Sequence, residues 1–168
     1  MLHIVEVDQS GKIEDTSKDT ILAFANGIKF SLLIPATVKR QCVQVLRDNG
    51  LSGQTLYFQL YATGLFFLLR GHIQYLLRVV LDNEYIGQEG QIKQHLYNLL
   101  QRTGINIEKE QVHFTSVGKK SPAHILALSI FRGQSSADLT LTAEDLLREF
   151  GLAKKVQRVQ ETRRPKKR

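Results

Sequence analysis

Tryptophan is absent from the sequence, and cysteine and methionine occur once each among 168 residues. A lone cysteine cannot form an internal disulfide, so a reducing compartment is expected. Cys42 falls within a predicted helix beside Val43 and Val45, where packing is the expected role rather than nucleophilic chemistry. The opening residues, Met1 to Asp8, lack the basic start and the long apolar core of a secretory signal. We therefore expect a cytoplasmic, intracellular protein.

Long apolar runs are missing as well. The most apolar stretch, residues 54–69, is interrupted by Gln59, Thr63 and Gly64 and is followed by Arg70. A helix that crosses a bilayer needs about 20 consecutive apolar residues. We interpret this stretch as a helix of the protein core, and we expect no membrane partner.

Several familiar site motifs are absent too. The sequence contains no Walker loop, no G-x-G-x-x-G fingerprint, no G-x-S-x-G nucleophile elbow and no Cys/His spacing for zinc. These absences exclude the enzyme classes that are built on those motifs. The candidates for chemistry are therefore single polar residues that the fold brings together.

Positive charge is concentrated at the carboxyl end. The chain has 23 basic and 16 acidic residues, and eight of the basic ones and one of the acidic ones lie within residues 154–168. That leaves 15 of each sign in residues 1–153, which are formally neutral. A basic tail of this kind can be an electrostatic arm for nucleic acid or a solubilising end. We predict a single domain over residues 1–153 and a basic, disordered tail over residues 154–168.

The hydrophobic pattern predicts an α/β fold. Apolar, β-branched segments predict strands over residues 2–8, 20–25, 28–34, 75–81 and 111–117. Helical periodicity and capping residues predict helices over residues 37–48, 52–70, 88–103, 122–131 and 142–150. Asn26-Gly27 predicts a two-residue hairpin turn, with both residues at positive φ, between the second and third strands. A three-stranded antiparallel meander followed by helix-connected strands predicts a mixed five-stranded sheet with helices on both faces.

Acidic residues stand at the ends of two of the predicted strands. Asp82 and Glu84 come directly after the apolar run that ends at Leu81, and Asp8 ends the first strand. Carboxyl ends of strands open into the crevices where α/β folds build their sites. Carboxylates held together without a nearby basic residue repel each other, and a bound cation relieves that repulsion. The alternative is a strand that ends in a solvated acidic turn.

The order of elements resembles the RNase H-like fold, the scaffold of ribonucleases H, Holliday-junction resolvases, retroviral-type integrases and DDE transposases. Enzymes of that superfamily carry one Asp on the first strand, an acid at the end of the fourth and a third ligand on a late helix. Asp8, in Val-Glu-Val-Asp-Gln-Ser-Gly, matches the first position. Asp82 or Glu84, in Val-Val-Leu-Asp-Asn-Glu-Tyr, matches the second. The resemblance covers about residues 2–131 and rests mainly on the order of the elements.

The third position falls in Gly-Lys-Lys-Ser-Pro-Ala-His, where the candidate is His124. Superfamily members usually have Asp or Glu there, and residues 118–133 contain neither, although some resolvases are similar in using His. The resemblance thus implies the catalytic set Asp8, Glu84 and His124, with Asp82 as a further or alternative metal ligand. The implied cofactor is Mg²⁺ or Mn²⁺, and the implied reaction is hydrolysis of a phosphodiester bond.

Nucleic acid is the partner that this resemblance implies. Lys119 and Lys120 stand close to His124 in the sequence and would bind backbone phosphates. The other candidate phosphate contacts all belong to the tail and are Lys154, Lys155, Arg158, Arg163, Arg164, Lys166, Lys167 and Arg168. RNA and DNA both fit, as do duplex, hybrid and junction substrates, and monomers and dimers. The competing hypothesis is a non-catalytic RNase H-like module that binds nucleic acid or a protein partner.

Overall fold

The structure is a computed structural model that describes residues 1–156 of the chain. Its strands are β1 (His3–Ser10), β2 (Thr20–Asn26), β3 (Ile28–Ile34), β4 (Leu76–Asp82), β5 (Val112–Thr115) and β6 (Leu139–Thr140). Its helices are α1 (Ala36–Asp48), α2 (Gly53–Leu69), α3 (Glu89–Arg102), α4 (Pro122–Phe131) and α5 (Ala143–Arg148). A short 3₁₀ turn, Ile73–Tyr75, precedes β4.

The strands of the described residues form one mixed sheet in the order β5-β4-β1-β2-β3-β6. Strand β2 runs antiparallel to both β1 and β3, whereas β4 runs parallel to both β1 and β5. The mixed α/β architecture is confirmed, but the predicted count of five strands is wrong because the sheet has six. The additional strand, β6, is only two residues long and pairs with β3 in parallel. Its pairing is supported by Asp138, whose carboxylate accepts from the backbone N–H and the hydroxyl of Ser31.

Helices cover both faces of the sheet. The alternating side chains of β2 show which helices cover each face. Leu22 and Phe24 point into the larger core beneath α1, α2, α3 and α5. Ile21 and Ala23 point to the opposite face, where they pack with residues of α4. Side chains of a strand alternate between faces, so a strand segment buried on both sides is apolar along its length, as residues 21–25 of β2 are.

Helix α2 is the helix predicted from the apolar stretch around residues 54–69. Most of its residues are buried, and a Cβ at Gly64 would lie 2.9 Å from Leu22 Cδ1, so the helix approaches the sheet closely there. Among residues 1–156, no helix combines the length and the apolar character that crossing a bilayer requires.

The hairpin between β2 and β3 is confirmed, and its loop is tighter than predicted. Asn26 and Gly27 both have positive φ, at 136° and 79°. Asn26, however, still pairs with Ile28, so the two strands are separated by Gly27 rather than by two residues. The side-chain amide of Asn26 donates to the carbonyl oxygen of Ile4, which holds Asn26 against β1 and within the sheet.

Side-chain caps begin the last two helices, α4 and α5. The Ser121 hydroxyl accepts from the backbone N–H of Ala123, with Pro122 at the first helical position. Thr142 and Asp145 form a reciprocal capping box at the start of α5. The first of these caps fixes the start of α4, which carries His124.

Candidate metal centre

The parallel pairing of β1 with β4 brings the candidate acids to one edge of the sheet. Val7 and Leu81 are opposite each other in this ladder, and Asp8 and Asp82 are the next residues on their strands. Because Val7 and Leu81 both point into the larger core, Asp8 and Asp82 both point to the face that α4 covers. The apolar strand pattern thus determines the orientation of the two carboxylates.

Three carboxylates converge at this edge. One oxygen atom each from Asp8, Asp82 and Glu84 lies within 4.8 Å of the others. Asp8 is buried, at 4% exposure, and the other two are half-buried. Glu84 lies two residues beyond the end of β4, where the chain has left the sheet.

Asp8 is held through both of its carboxylate oxygens. Its Oδ1 accepts from the backbone N–H of Gln9 at 2.8 Å. Its Oδ2 lies 2.5 Å from Nδ1 of His124, in the first turn of α4. His124 therefore contacts the cluster through Asp8, although it is not one of the three residues whose oxygen atoms converge. With Nδ1 engaged in this way, Nε2 is the ring nitrogen that remains for another partner.

The other two carboxylates are also oriented by hydrogen bonds. Asp82 Oδ1 accepts from the backbone N–H of Val117, in the segment that leads into α4, at 2.7 Å. Glu84 Oε2 accepts from the side-chain amide of Gln9 at 2.9 Å. Gln9 thus contacts two of the three acids, Asp8 through its backbone and Glu84 through its side chain.

Gln9, Tyr85 and Glu14 belong to this arrangement and were not predicted from the sequence. The Gln9 amide also donates to the Tyr85 hydroxyl, which in turn donates to Glu14 Oε2. The Tyr85 ring packs against Phe58 and Tyr61 of α2. This packing anchors the segment that carries Glu84, because Tyr85 is its direct neighbour in the chain.

The electrostatics of the cluster disfavour three ionised carboxylates. Burial raises the pKa of Glu84 to about 7, and the charges of Asp8 and Asp82 add to the effect. Burial likewise raises the pKa of Asp8, against the opposing influence of its hydrogen bonds with Gln9 and His124. Within residues 1–156, no lysine or arginine forms an ion pair with any of these acids.

The loop that carries Glu14 is attached to α1 by a buried lysine. Lys39 is 0% exposed, and its Nζ donates to the carbonyl oxygens of Lys12 and Asp15 and to the Thr20 hydroxyl. Burial lowers the pKa of Lys39 to about 8. The loop is therefore held by Lys39 at the carbonyls of Lys12 and Asp15 and by Tyr85 at the Glu14 side chain.

The predicted phosphate-binding residues are only partly within the described residues. Lys119 and Lys120 are exposed in the turn before Ser121, close in sequence to Val117, which contacts Asp82. Lys154 is exposed, and Lys155 donates from Nζ to the side chain of Asn49. Of residues 154–168, for which disorder is predicted, only 154–156 are described. The remaining tail contacts lie outside the described residues and are Arg158, Arg163, Arg164, Lys166, Lys167 and Arg168.

Comparison with family models, with curated proteins and with solved structures finds no match to this chain. The chemistry assigned to the cluster therefore rests on its own residues and geometry.

Proposed function

We propose that the chain is a nuclease of the RNase H-like type that hydrolyses phosphodiester bonds with Mg²⁺ or Mn²⁺. The observation that carries the proposal is the convergence of Asp8, Asp82 and Glu84 within 4.8 Å at the carboxyl ends of two parallel strands. Together the three acids form a cluster with which no Lys or Arg of residues 1–156 forms an ion pair. Such a cluster is unfavourable by itself and becomes favourable when a cation binds.

The order of the strands supports the RNase H-like assignment. Three antiparallel strands are followed by β4 and β5, which are reached through helices and run parallel to β1. β1 and β4 are neighbours, so the acids of the first and fourth strands meet, as the resemblance implies. β6, at the far edge of the sheet beside β3, leaves this arrangement unchanged.

The donor set fits a hard divalent cation. Carboxylate oxygens are the ligands that Mg²⁺ and Mn²⁺ prefer, and Asp8, Asp82 and Glu84 would supply them. A bound ion of this kind supplies Lewis-acid chemistry for the hydrolysis of a phosphodiester. A nitrogen ligand from His124 would shift the preference towards Mn²⁺.

The surrounding residues orient the acids. Gln9 holds Glu84 and Asp8 in a fixed relation, since one residue hydrogen-bonds to both. His124 donates from Nδ1 to Asp8 when that nitrogen carries the proton, which favours the ionised form of the carboxylate. Lys119 and Lys120 are exposed just before α4 and would contact the phosphate backbone of a substrate.

One feature favours a second candidate function, a non-catalytic module that binds nucleic acid or a protein. The segment 118–133 supplies no carboxylate to the cluster, and His124 is engaged with Asp8. A cation could then bind without hydrolysis taking place.

Cleavage assays on RNA–DNA hybrids, duplex DNA and four-way junctions, with Mg²⁺ or Mn²⁺, separate the two functions. We expect the native chain to cut at least one substrate and both Asp8→Asn and Glu84→Gln to lose activity by about 100-fold or more, since even outer-shell changes cost 10–100-fold. Asp48→Asn is the matched control because Asp48 is an exposed acid that bonds to Gln44 on the outside of α1. Equal cleavage by all four proteins would contradict the proposal. Metal binding without any cleavage would favour the second candidate function, the non-catalytic binding module.

A further inference from the structure

A second polar site lies on the outer side of α1. A groove of about 480 Å³ runs between this helix, the loop after β1 and the start of α2. Its lining includes Arg40 and Arg47 on α1, Thr16 on the loop and Tyr57 on α2, and it includes no acidic residue. The groove therefore has two positive charges and no negative charge in its wall.

The two arginines have most of their hydrogen-bonding capacity unused by the described residues. Arg40 donates from Nη1 to the carbonyl oxygen of Thr16 at 2.7 Å, and Arg47 donates from Nη2 to the Tyr57 hydroxyl at 3.2 Å. A guanidinium group carries five N–H donors. Among residues 1–156, neither arginine forms an ion pair with a carboxylate. These contacts hold each guanidinium at the groove and leave donors for an anion.

The spacing of the arginines suits a ligand with more than one anionic group. Arg40 and Arg47 are seven residues apart on one helix, which is nearly two turns and about 10.5 Å along its axis. Two positive groups at this separation on one face match a row of phosphates better than a single small anion. Tyr57, partly exposed beside Arg47, adds an aromatic ring of the kind on which bases stack.

The groove is connected to the candidate metal centre through the loop. Thr16, at the groove, follows Glu14 by two residues, which is at most about 7 Å of chain. Glu14 accepts from Tyr85, which contacts Gln9 beside Glu84. The groove and the acidic cluster are thus held against the same short segment, which Lys39 fixes to α1.

We propose that this groove binds two phosphates of a nucleic-acid strand, with Arg40 and Arg47 as the phosphate contacts. This inference rests on the proposed nuclease function and adds to it a place where the strand lies away from the cluster. The contact is to the backbone, so it contributes affinity and orientation and does not read sequence.

Salt-dependent binding of a fluorescein-labelled single-stranded oligonucleotide tests the groove, with EDTA present so that no cleavage occurs. The test protein is Arg40→Gln/Arg47→Gln, in the full chain. The control is Arg102→Gln/Arg132→Gln, which removes the same charge from two exposed arginines outside the groove. Arg102, like Arg40, donates to a backbone carbonyl, that of Glu149.

We expect the groove variant to bind more weakly and the slope of log K against log salt to become shallower by about 1.4, or 0.7 for each lost phosphate contact. The control should keep the native slope. Equal changes in both variants, or no change in the groove variant, would overturn the proposal. Loss of pyrophosphate binding by the groove variant, with oligonucleotide binding unchanged, would assign the groove to a small anion and would also overturn it.

Stabilisation by Mn²⁺, measured on the same groove variant, separates this proposal from that of the metal centre. A groove variant that binds oligonucleotide normally and is stabilised by Mn²⁺ would contradict the proposal for the groove but not the proposal for the metal centre. Native protein that binds the strand through the groove but is not stabilised by Mn²⁺ would contradict the proposal for the metal centre but not the proposal for the groove.

Discussion

Glu84 shows most clearly the unfavourable electrostatics of the candidate metal centre. Its pKa is raised to about 7, first by burial and then by Asp8 and Asp82. A carboxyl group with a raised pKa binds its proton more tightly in the folded than in the unfolded protein. Its contribution to stability therefore falls as the pH rises from about 4.5 to about 7, and above that range the full cost of its charge is present.

Removing this charge should stabilise the metal-free protein. We expect Glu84→Gln to raise the free energy of unfolding by about 1 kcal/mol at pH 8 in the presence of EDTA, because it removes both the desolvation of the carboxylate and its repulsion by the neighbouring acids. Urea unfolding measures the difference. The control is Glu144→Gln, because Glu144 is exposed and pairs with Arg148. Its free energy of unfolding should fall by a few tenths of a kcal/mol. A loss of stability in Glu84→Gln larger than in this control would count against mutual repulsion.

The acids of the cluster could be predicted from sequence, whereas the residues that orient them could not. Asp8 and Asp82 lie directly after Val7 and Leu81 on their strands, and Glu84 comes two residues after Asp82, so their placement is visible in the chain. Gln9 stands in Gln-Ser-Gly-Lys, which is typical of a turn, so its role depends on β1 continuing to Ser10. β1 continues to Ser10 because Gln9 pairs with Leu22 and Ser10 pairs with Ile21. The local sequence does not predict this pairing.

Among the elements, the loop between β1 and β2 depends most on one side chain. Lys39 of α1 satisfies two carbonyl oxygens of this loop and the hydroxyl of Thr20. Burial lowers its pKa to about 8, while the neighbouring acids Asp15, Asp19 and Glu14 act in the opposite direction. Between pH 8 and 10.5 the unfolded chain therefore keeps a proton that the folded protein has released, so stability gains from a rise in pH.

The comparison of Lys39→Met with the native protein should depend on pH. We expect the free energy of unfolding of the native chain, minus that of Lys39→Met, to increase by on the order of 2 kcal/mol between pH 7 and pH 10, since only the native chain carries this titration. Lys18→Met removes an exposed lysine of the same loop and should show no such trend. A difference for Lys39→Met that stays flat with pH would contradict the lowered pKa.

The hairpin of β2 and β3 depends on Gly27. Its φ of 79° is costly for other residues, and a Cβ there would lie 2.7 Å from Nδ1 of His3. We expect Gly27→Ala to cost roughly 1–2 kcal/mol from the backbone alone, with the contact as an additional cost. Gly50→Ala is the matched control because Gly50 has a φ of 90° and nothing within 4 Å of its Cβ position. Urea midpoints that shift equally for the two variants would show that the His3 contact has no effect.

Most helices and strands were predictable because they are long and periodic. The elements that were not predicted are short or depend on residues distant in the sequence. The predicted helix over residues 88–103 corresponds to α3, whose buried residues Ile92, Leu96, Leu99 and Leu100 form one face. β6, in contrast, has two residues and no pattern of its own. It exists because the chain beyond α4 returns along β3, where Asp138 bonds to Ser31.

On the scale of the whole molecule, the order of strands brings distant parts of the sequence into one site. Asp8 and Glu84 are separated by 76 positions, and His124 lies 40 positions further on, yet all three meet where β1, β4 and the start of α4 converge. The resemblance to the RNase H-like fold, which rests mainly on the order of elements, implied this meeting in outline. The hydrogen bond between His124 and Asp8 follows from the placement of α4 across β1, which the sequence does not specify.

The most direct test of a metal centre is thermal unfolding of the full chain with increasing Mn²⁺. We expect Mn²⁺ at a hundredfold excess over its Kd to stabilise the native protein by about 2.7 kcal/mol, because the ion binds the folded state. Asp8→Asn and Glu84→Gln should lose this stabilisation, while Asp48→Asn should retain it. An unfolding midpoint of the native protein that does not rise with Mn²⁺, or one that rises equally in all four proteins, would contradict the account.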